Sequence, residues 1–587
     1  MIMKKIIIIC LLAFTLSSCE DLFTPAKENL YTLDQMYTNP GYAYGILITA
    51  YASLPFSSDT DVATDDAVSN DNGNGYRNMA LGQWSAINNP VERWRTGRST
   101  IQAINLFLEN VEKVEWSKKE DLNQYFIDRM TGEAYALRGL QMLHLLKAHA
   151  GWTADGQLLG IPIVLESENV SSDFNLPRNT FEECINQVFA DYEKALEFLP
   201  TEYVAHTAIP DKYTAKGFDN IDSYNRVFGS NFVGLIDGNI VEAFQAQASL
   251  FAASPAWDGG SPITYKDAAE YAAKVIEKNG GVRGIDAKGN TWYCNKAEIE
   301  GLSNGAKPKE MVWRRNIGQG LDKEKAFFPP TLYGQGRINP TQNLVDAFPM
   351  KNGYPITDAA SGYNESDPYA ERDPRLSHYI VYNGSTQGHE GKVITTASDG
   401  ATLDALNREN GKSTRTGYYM RKLTRSYINA NPASQTPGKF YDAIIRYTEI
   451  YLNYAEAANE AYGPTGSAGS YSESAYDVVK AIRIRAGIDP LDPYLESIKG
   501  DKAKMRELIR NERRLELCFE GFRFWDVRRW KVSPEQLSMP AYGINISASG
   551  NSVMEVEKRE YQSFMYYGPI PDSEIIKFSN LVQNKDW

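Results

Sequence analysis

Apolar residues that recur every three or four positions, between clear start and stop signals, constrain the fold of this chain most. Residues three and four apart lie on one face of an α-helix, so such a stripe predicts a helix with one buried face. The clearest case begins at Thr180-x-x-Glu183, a capping box, and ends before Pro200. Its stripe consists of Phe181, Ile185, Val188, Phe189, Tyr192, Leu196 and Leu199.

The predicted helices come in antiparallel pairs, and small residues occur where two helices must approach closely. A helix over residues 124–149 precedes the one at Thr180, and we expect Glu133, Arg138 and Lys147 on its wetter side. These pairs are similar to tetratricopeptide-type pairs, but they are scattered rather than consecutive. Two later pairs are residues 241–251 with a helix opened by Thr264-x-x-Asp267, and residues 447–458 with a helix from Ser470-x-x-Glu473 to Ala486, stopped by Gly487. The fold class is therefore mainly α.

Long segments rich in Gly, Asn, Pro and Tyr separate these pairs. Irregular segments of this length within a compact domain are usually functional or disordered. These segments contain Trp, Tyr and Phe throughout, so we predict ordered loops with short strands, and we expect function to lie there. They span residues 54–96, 202–232, 280–340 and 350–440.

The N-terminus has the pattern of a secretory signal peptide, with two lysines, an apolar run over residues 6–16 and then small residues. The run is too short to cross a bilayer, and no later stretch reaches about 18 apolar residues. Leu16-Ser17-Ser18-Cys19 resembles the bacterial lipobox, whose cysteine carries lipid such as palmitate. We predict a signal peptide over residues 1–18 and a lipidated Cys19 with a tether over residues 19–28. The alternative is cleavage elsewhere, with Cys19 incidental.

Charge and cysteine content argue against several classes of function. The net charge is −13, and −15 without residues 1–18, which disfavours nucleic acid or an anionic membrane as the main partner. Cys184, Cys294 and Cys518 are widely spaced, and neither CxxC nor HExxH occurs. His144 and His149 are five apart, which does not place them on one helix face. We expect no metal or redox centre, and we expect Cys184 and Cys518 to be buried free thiols.

Several segments, in the right order along nearly the whole mature chain, resemble the SusD/RagB family. The stretch over 511–530 resembles the family's C-terminal signature. The matching segments are GEAYALRGLQMLHLLKAHAGW (132–152), GIPIVLES (160–167), LPRNTFEECINQVFADYEKALEFLP (176–200), PTQNLVDAFPMKNG (340–353), YTEIYLNYAEAANEAYG (447–463), NERRLELCFEGFRFWDVRRW (511–530), YYGPIPDSEI (566–575) and LVQNKDW (581–587).

The resemblance implies a mainly helical lipoprotein of the outer-membrane surface that forms a lid on a SusC-like TonB-dependent transporter. Such proteins capture oligosaccharides, or peptides in some members, and the barrel imports them; they are not enzymes. It implies one SusD-like domain over residues 29–587, with parts of about 29–235 and 236–587 packed as one unit. We therefore expect glycan capture for uptake, with peptide binding in the manner of RagB as the alternative. A surface glycosidase and a purely structural lid are further hypotheses.

Three loops have the composition that sugar recognition needs. An aromatic ring offers a flat face to the C–H surface of a sugar, and polar groups at its edge bind the hydroxyls. Site residues vary between members of the family, so none is transferred from it. The candidates are Asp66, Arg77, Trp84 and Asn88 in the first loop, Trp292 and Tyr293 in the second and Tyr333 in the third, with Asp65, Asn89, Phe327, Phe328 and Arg337 beside them.

Two charged segments have both a structural and a functional interpretation. The segment over 511–530 could present a catalytic carboxylate pair, but we predict an ion-pair network around a core of Phe519, Phe522, Phe524 and Trp525. Five aspartates between residues 59 and 71 could bind Ca²⁺, but their spacing does not match an EF-hand. We predict a hydrogen-bonded loop without a cofactor, with Ca²⁺ as the alternative.

Overall fold

The computed structural model describes residues 33–55, 59–303, 305–469 and 471–587, and side chains from residue 35 onward. The predicted signal peptide, Cys19 and the tether lie outside the described residues. The division of the domain near residue 235 stays a prediction. None of the helices in the described ranges has the length and apolar character needed to span a membrane.

Within the described residues nine longer helices build the main core, and the periodicity predicted six of them, α3 to α8. Helix α3 packs between α2 and α4, and α6 packs between α5 and α7, which also contacts α8 and α9. The nine are α1 (Pro40–Ala52), α2 (Trp94–Asn110), α3 (Glu120–His149), α4 (Phe181–Phe198), α5 (Gly238–Ala252), α6 (Tyr265–Lys278), α7 (Tyr447–Tyr462), α8 (Ala475–Ala486) and α9 (Lys502–Leu517). Shorter helices span Leu33–Thr38, Gly75–Asn78, Asp211–Thr214, Ile221–Phe228, Lys296–Gly301, Asp322–Phe327, Gln342–Ala347, Pro374–Tyr379, Pro493–Ser497, Arg523–Arg529, Pro534–Leu537 and Asp572–Lys577.

The predicted helix boundaries are confirmed at α4, α6 and the end of α8, but the predicted start of α8 is wrong. Thr180 and Thr264 both form capping boxes, and Gly487 ends α8 in the left-handed region at φ 94°. Helix α8 starts four residues later than predicted, because Ser474 caps it with Asp477. Glu473 instead accepts a hydrogen bond from the backbone N–H of Val282 at 2.8 Å.

Helix α3 is buried on nearly all sides, so the prediction of a wetter side is wrong for two of its three residues. Glu133 lies 3.2 Å from Arg129 and accepts a hydrogen bond from the Tyr51 hydroxyl at 2.8 Å. Arg138 donates to Asp191 on α4 at 2.6 Å. Partners on neighbouring helices thus stabilise charges that a single helix would expose. Only Lys147 of the three is half-buried rather than buried.

Short strands occur in three of the four predicted loop regions, whereas the region over 202–232 contains the helices Asp211–Thr214 and Ile221–Phe228 instead. In the described part of the chain these strands pair as two-stranded antiparallel sheets rather than as one large sheet. The pairs are Ala67–Ser69 with Ile338–Pro340, Gly151–Trp152 with Leu158–Leu159, Met311–Arg314 with Ala443–Arg446, Gly318–Gly320 with Gly438–Phe440, Ile380–Val381 with Tyr419–Met420, Thr386–Gln387 with Lys392–Val393, and Ala541–Ser547 with Gly550–Glu557.

The segment over 511–530 forms the predicted ion-pair network beside a second, smaller apolar core. Glu512 and Glu516 of α9 both bind Arg375, at 2.5 and 2.9 Å. Glu520 binds Arg446 at 2.7 Å. Phe519 and Phe524 are buried, whereas Phe522 and Trp525 are half-buried. The charged side chains of this segment are therefore held by structural partners.

Candidate ligand-binding cleft

A cleft of 420 Å³ lies where the main helical core meets the second core. This volume is within the range of about 300–1,000 Å³ that is usual for small-molecule sites. Aromatic and aliphatic side chains form its walls, and polar side chains interrupt them. Among the lining residues are Tyr76, Glu92, Arg93, Leu140, His144, Lys147, Phe244, Gln247, Phe251, Trp292, Arg315, Lys323, Phe327, Asp442, Glu449, Asn453, Phe519 and Trp525.

Of the two aromatic candidates in the loop over 289–295, Trp292 lines the cleft. Its ring lies 5.4 Å from that of Tyr441, and its indole N–H has no hydrogen-bond partner in the described ranges. Tyr293 does not line the cleft, and its hydroxyl donates to the carbonyl oxygen of His378 at 3.0 Å. Burial raises the pKa of Tyr293, so its hydroxyl stays a hydrogen-bond donor. This contact makes Tyr293 part of the core rather than of a sugar platform.

The loop over 325–337 presents an aromatic ring to solvent. Tyr333 is 48% exposed, and its hydroxyl accepts a hydrogen bond from the Asn431 amide at 3.1 Å. Its backbone is left-handed, at φ 66°, a conformation that costs a residue with a side chain free energy and often marks a functional site. On the same loop, Phe327 lines the cleft and Phe328 is buried. Tyr333 is therefore the most accessible of the predicted aromatic residues.

The loop over 65–94 is mostly built into the fold, which argues against three of its candidates as ligand contacts. Trp84 is 5% exposed, packs at 4.8 Å against Trp587 and donates its indole N–H to Asn89 at 3.0 Å. Asp66 is completely buried, 2.6 Å from Arg514. Arg77 lies 2.7 Å from Glu557. Each of these three side chains has a partner inside the protein, so a ligand would have to displace these contacts.

Asn88 is the exposed candidate of this first loop. Its side-chain amide donates to the carbonyl oxygen of Gln83 at 3.1 Å, and its backbone N–H donates to Ser85. The neighbouring Ile87 is 85% exposed. Asn88 does not line the cleft, so the structure does not join it to Trp292 in one site.

The acidic segment near residue 65 has arginine partners. Asp65 lies 2.9 Å from both Arg514 and Arg523. Burial alone would raise the pKa of Asp65, but the two arginines lower it below its usual range. In the ranges that the structure describes, no group of three or more His, Cys, Asp or Glu residues could hold a metal ion. Calcium binding stays an untested alternative, and the arrangement itself is that of a hydrogen-bonded loop.

The helical part of the cleft wall consists of residues that the sequence did not single out as a site. Glu449 and Asn453 lie on α7, within a segment whose helical pattern predicts core positions. Lys147 and His144 come from the last turns of α3. A polar residue inside an apolar stripe could have indicated these cleft residues in the sequence. The same pattern also occurs at purely structural pairs such as Arg138 with Asp191, so it does not identify a site.

The two terminal parts of the chain match sequence models of related families. Residues 303–587 match the model described as the SusD family, and residues 32–218 match one described as starch-binding, associating with the outer membrane. Over 140 residues the chain is 30% identical to the SusD-like protein P2 of Formosa agariphila. That alignment spans 24% of each protein, so the chain covers about a quarter of this curated relative.

Solved structures share the fold over almost the whole chain. A SusD-like protein from Bacteroides fragilis is 22% identical, with a TM-score of 0.69 and coverage of 96% of this chain and 100% of the other. A SusD-like carbohydrate binding protein from the same organism is 21% identical, with a TM-score of 0.67 and coverage of 93% and 99%. A laminarin binding SusD-like protein is 18% identical, with a TM-score of 0.55 and coverage of 94% and 100%. At such identities the likeness shows a common fold.

Proposed function

This chain belongs to the SusD/RagB family, and from that premise we propose that it captures oligosaccharides at the bacterial surface and delivers them to a SusC-like TonB-dependent transporter. The observation that carries the proposal is the cleft, whose aromatic walls alternate with polar groups. Phe327 offers a face for the C–H surface of a sugar, and Lys323 and Asp442 also line the cleft. Trp292 lines it too but is only 3% exposed. Tyr333, on the loop that follows Phe327, does not line the cleft and is a separate, exposed aromatic candidate.

The proposal assigns binding rather than catalysis to the cleft. A glycosidase needs two carboxyl groups about 5–9.5 Å apart across the scissile bond, one of them an acid. Asp442 pairs with Lys323, Asp526 lies 2.7 Å from Arg513, and Glu520 lies 2.7 Å from Arg446. These three carboxylates are held by cations and are therefore poor proton donors, which supports binding rather than catalysis at this part of the cleft.

A binding screen tests the function. We expect the purified protein without residues 1–19 to bind at least one oligosaccharide in calorimetry against panels of glycans and of short peptides. Binding of peptides alone would replace glycan capture by the RagB-like alternative. Absence of binding to both panels would favour a structural lid.

Two substitutions locate the site. Phe327→Ala and Tyr333→Gly each remove an aromatic face, and we expect each to weaken glycan binding by about 5-fold, because stacking on one ring contributes about 1 kcal/mol. Phe174, which is 44% exposed and does not line the cleft, is the matched aromatic control. Equal affinity of Phe327→Ala, Tyr333→Gly and Phe174→Ala would place the site elsewhere.

A further inference from the structure

Polar side chains from three helices of the main core line one part of the cleft, which we call its inner end. Lys147 and His144 project from α3, Gln247 from α5 and Glu449 from α7. Lys147 and His144 are half-buried, and Glu449 is 3% exposed. These groups lie among the helices, away from the loops that carry Trp292 and Tyr333.

Two charged side chains of this inner end have hydrogen-bonding atoms without a partner among the described residues. Glu449 accepts a hydrogen bond from the Gln247 amide at 2.7 Å through Oε1, whereas its buried Oε2 has no partner within the described ranges. The Lys147 ammonium group lies 5.9 Å from the centre of the Phe251 ring and makes no hydrogen bond or ion pair to a described residue. Buried polar atoms are rarely left unsatisfied in native proteins, and exceptions need an explanation such as a bound molecule.

The ionisation of both groups reflects this lack of partners. Burial raises the pKa of Glu449, against the opposing effect of Arg513. Burial lowers the pKa of Lys147, against the opposing effect of Glu449. A ligand that donates a hydrogen bond to Oε2 and accepts one from Nζ would offset the cost of burying both.

The charge of the surrounding walls favours a neutral ligand. Lys323 is paired with Asp442, Arg446 with Glu520, and Arg529 lies 2.5 Å from Glu456. Lys147 and Glu449 carry opposite charges. Among the other basic residues that line the cleft, Arg513 pairs with Asp526, whereas Arg93 and Arg315 donate to the backbone carbonyl oxygens of Ser53 and Leu54. Burial lowers the pKa of His144, so its ring is neutral near pH 7. The charges named here are therefore mostly matched, unlike the clusters of unpaired positive charge that bind sulfate, phosphate or carboxylate groups.

A sugar hydroxyl has the required chemistry, because it both donates and accepts hydrogen bonds. The rings of Phe244 and Phe251 and the side chain of Leu140 also line the cleft and offer apolar surface for the C–H groups of the same sugar. Resting on the proposed function, we infer that Lys147 and Glu449 form a subsite for the end of a neutral sugar chain. One hydroxyl accepts from Lys147 Nζ, and that hydroxyl or its neighbour donates to Glu449 Oε2.

The experiment compares ligands of different charge on the full mature protein and on two conservative variants. The probes are maltohexaose, laminarihexaose, xylohexaose and mannohexaose, with an oligogalacturonate hexamer and the dipeptide Ala-Ala. We expect at least one neutral hexaose to bind more tightly than the acidic hexamer. We expect Lys147→Met and Glu449→Gln each to lower the affinity for that hexaose by 10-fold or more. Thermal unfolding of both variants verifies that they fold.

Matched surface controls and the order of affinities separate the outcomes. Lys194→Met and Glu197→Gln remove an exposed ion pair on α4 that does not line the cleft, and they should leave affinity unchanged. If a neutral hexaose binds the wild type, Lys147→Met and Glu449→Gln equally well, the subsite is refuted and glycan capture stands. If the acidic hexamer binds more tightly than every neutral hexaose, the neutral subsite is refuted, and glycan capture again stands. Binding of Ala-Ala and of no glycan refutes both the subsite and glycan capture.

Discussion

At the scale of single residues, burial decides what a polar side chain can do in this protein. Trp84 and Asp66 have the residue types of a sugar site, yet both are buried with protein partners. Tyr333 has the same type as many core tyrosines of this chain, yet it is 48% exposed. Residue type therefore identified the candidates, and only the packing of the loops showed which of them are exposed and which are buried.

Asp237 provides a test of a buried carboxyl group at this scale. It caps α5 by accepting a hydrogen bond from the backbone N–H of Ile240 at 3.0 Å, and it is 6% exposed. Burial raises its pKa to about 7, against the opposing effect of Lys307, from about 3.9 in an unfolded chain. The folded state therefore binds more protons between these values, so this group lowers the free energy of unfolding as pH rises through about 7.

We expect Asp237→Asn to keep the cap and to remove this contribution. The variant should be more stable than the wild type at pH 8, and its advantage should disappear below about pH 4, because asparagine is an equally good cap and does not ionise. Urea unfolding at several pH values measures the difference. Asp501→Asn, at the half-exposed cap of α9, is the control and should follow the wild type. An Asp237→Asn advantage that is independent of pH would contradict the assignment.

At the scale of elements, two kinds of glycine occur in the helices. Gly139 of α3 faces α4 so closely that an added Cβ would lie 2.7 Å from Cε1 of Tyr192. Gly45 of α1 has no atom within 4 Å of that position. The small residues of the α3 sequence are therefore explained by helix contact, whereas Gly45 is only a weak point in its helix.

Alanine should have opposite effects at these two glycines. Gly139→Ala forces α3 and α4 apart or displaces the Tyr192 ring, and overpacking of this kind costs about 1–3 kcal/mol. Gly45→Ala should raise the free energy of unfolding by up to about 1 kcal/mol, because alanine has the higher helix propensity. Chemical unfolding of both variants measures the signs. A stabilising Gly139→Ala would show that the helices are not in close contact there.

At the scale of the whole molecule, buried ion pairs connect the helical core to the loops. Arg375 lies at the start of a short loop helix, is completely buried, and binds Asp373 at 2.6 Å in addition to Glu512 and Glu516 of α9. Burial alone would raise the pKa of Glu516, but Arg485 and Arg375 lower it to about 2. The cleft lies beside this network. The network therefore helps to fix the position of one side of the cleft relative to the other.

Removal of Arg375 should destabilise the whole fold. Arg375→Met leaves three carboxylates buried without this partner, and breaking a buried ion pair on one side costs about 3–5 kcal/mol. Urea unfolding measures the loss, with Lys194→Met at the exposed pair on α4 as the control, for which we expect no measurable change. Equal stability of the two variants would mean that the network is dispensable.

The proposed lipid anchor at Cys19 is tested at the scale of the whole molecule. Cys19→Ala should release a folded protein from the membrane fraction that binds oligosaccharide as before but no longer supports uptake, because the proposed lipid would keep the protein near the proposed transporter. Cell fractionation and growth on the glycan measure this. A variant that stays in the membrane fraction and supports growth would refute Cys19 as the anchor.

The sequence by itself determined the helical fold class, the ends of α4 and α6, the network over 511–530 and the family. The fold class and the helix ends depend on local rules, since helical periodicity and capping act within one or two turns of chain. The charge pattern over 511–530 predicted a network, but only the structure showed that its partners include the distant Arg375 and Arg446. The tertiary structure alone decided that α8 starts after Ser474, that α3 is buried on nearly all sides and that Trp84 belongs to the core. It also decided that Lys147 of α3 and Glu449 of α7 face one cleft. Contacts between residues hundreds of positions apart depend on how helices and loops pack, and one sequence carries no local pattern for that.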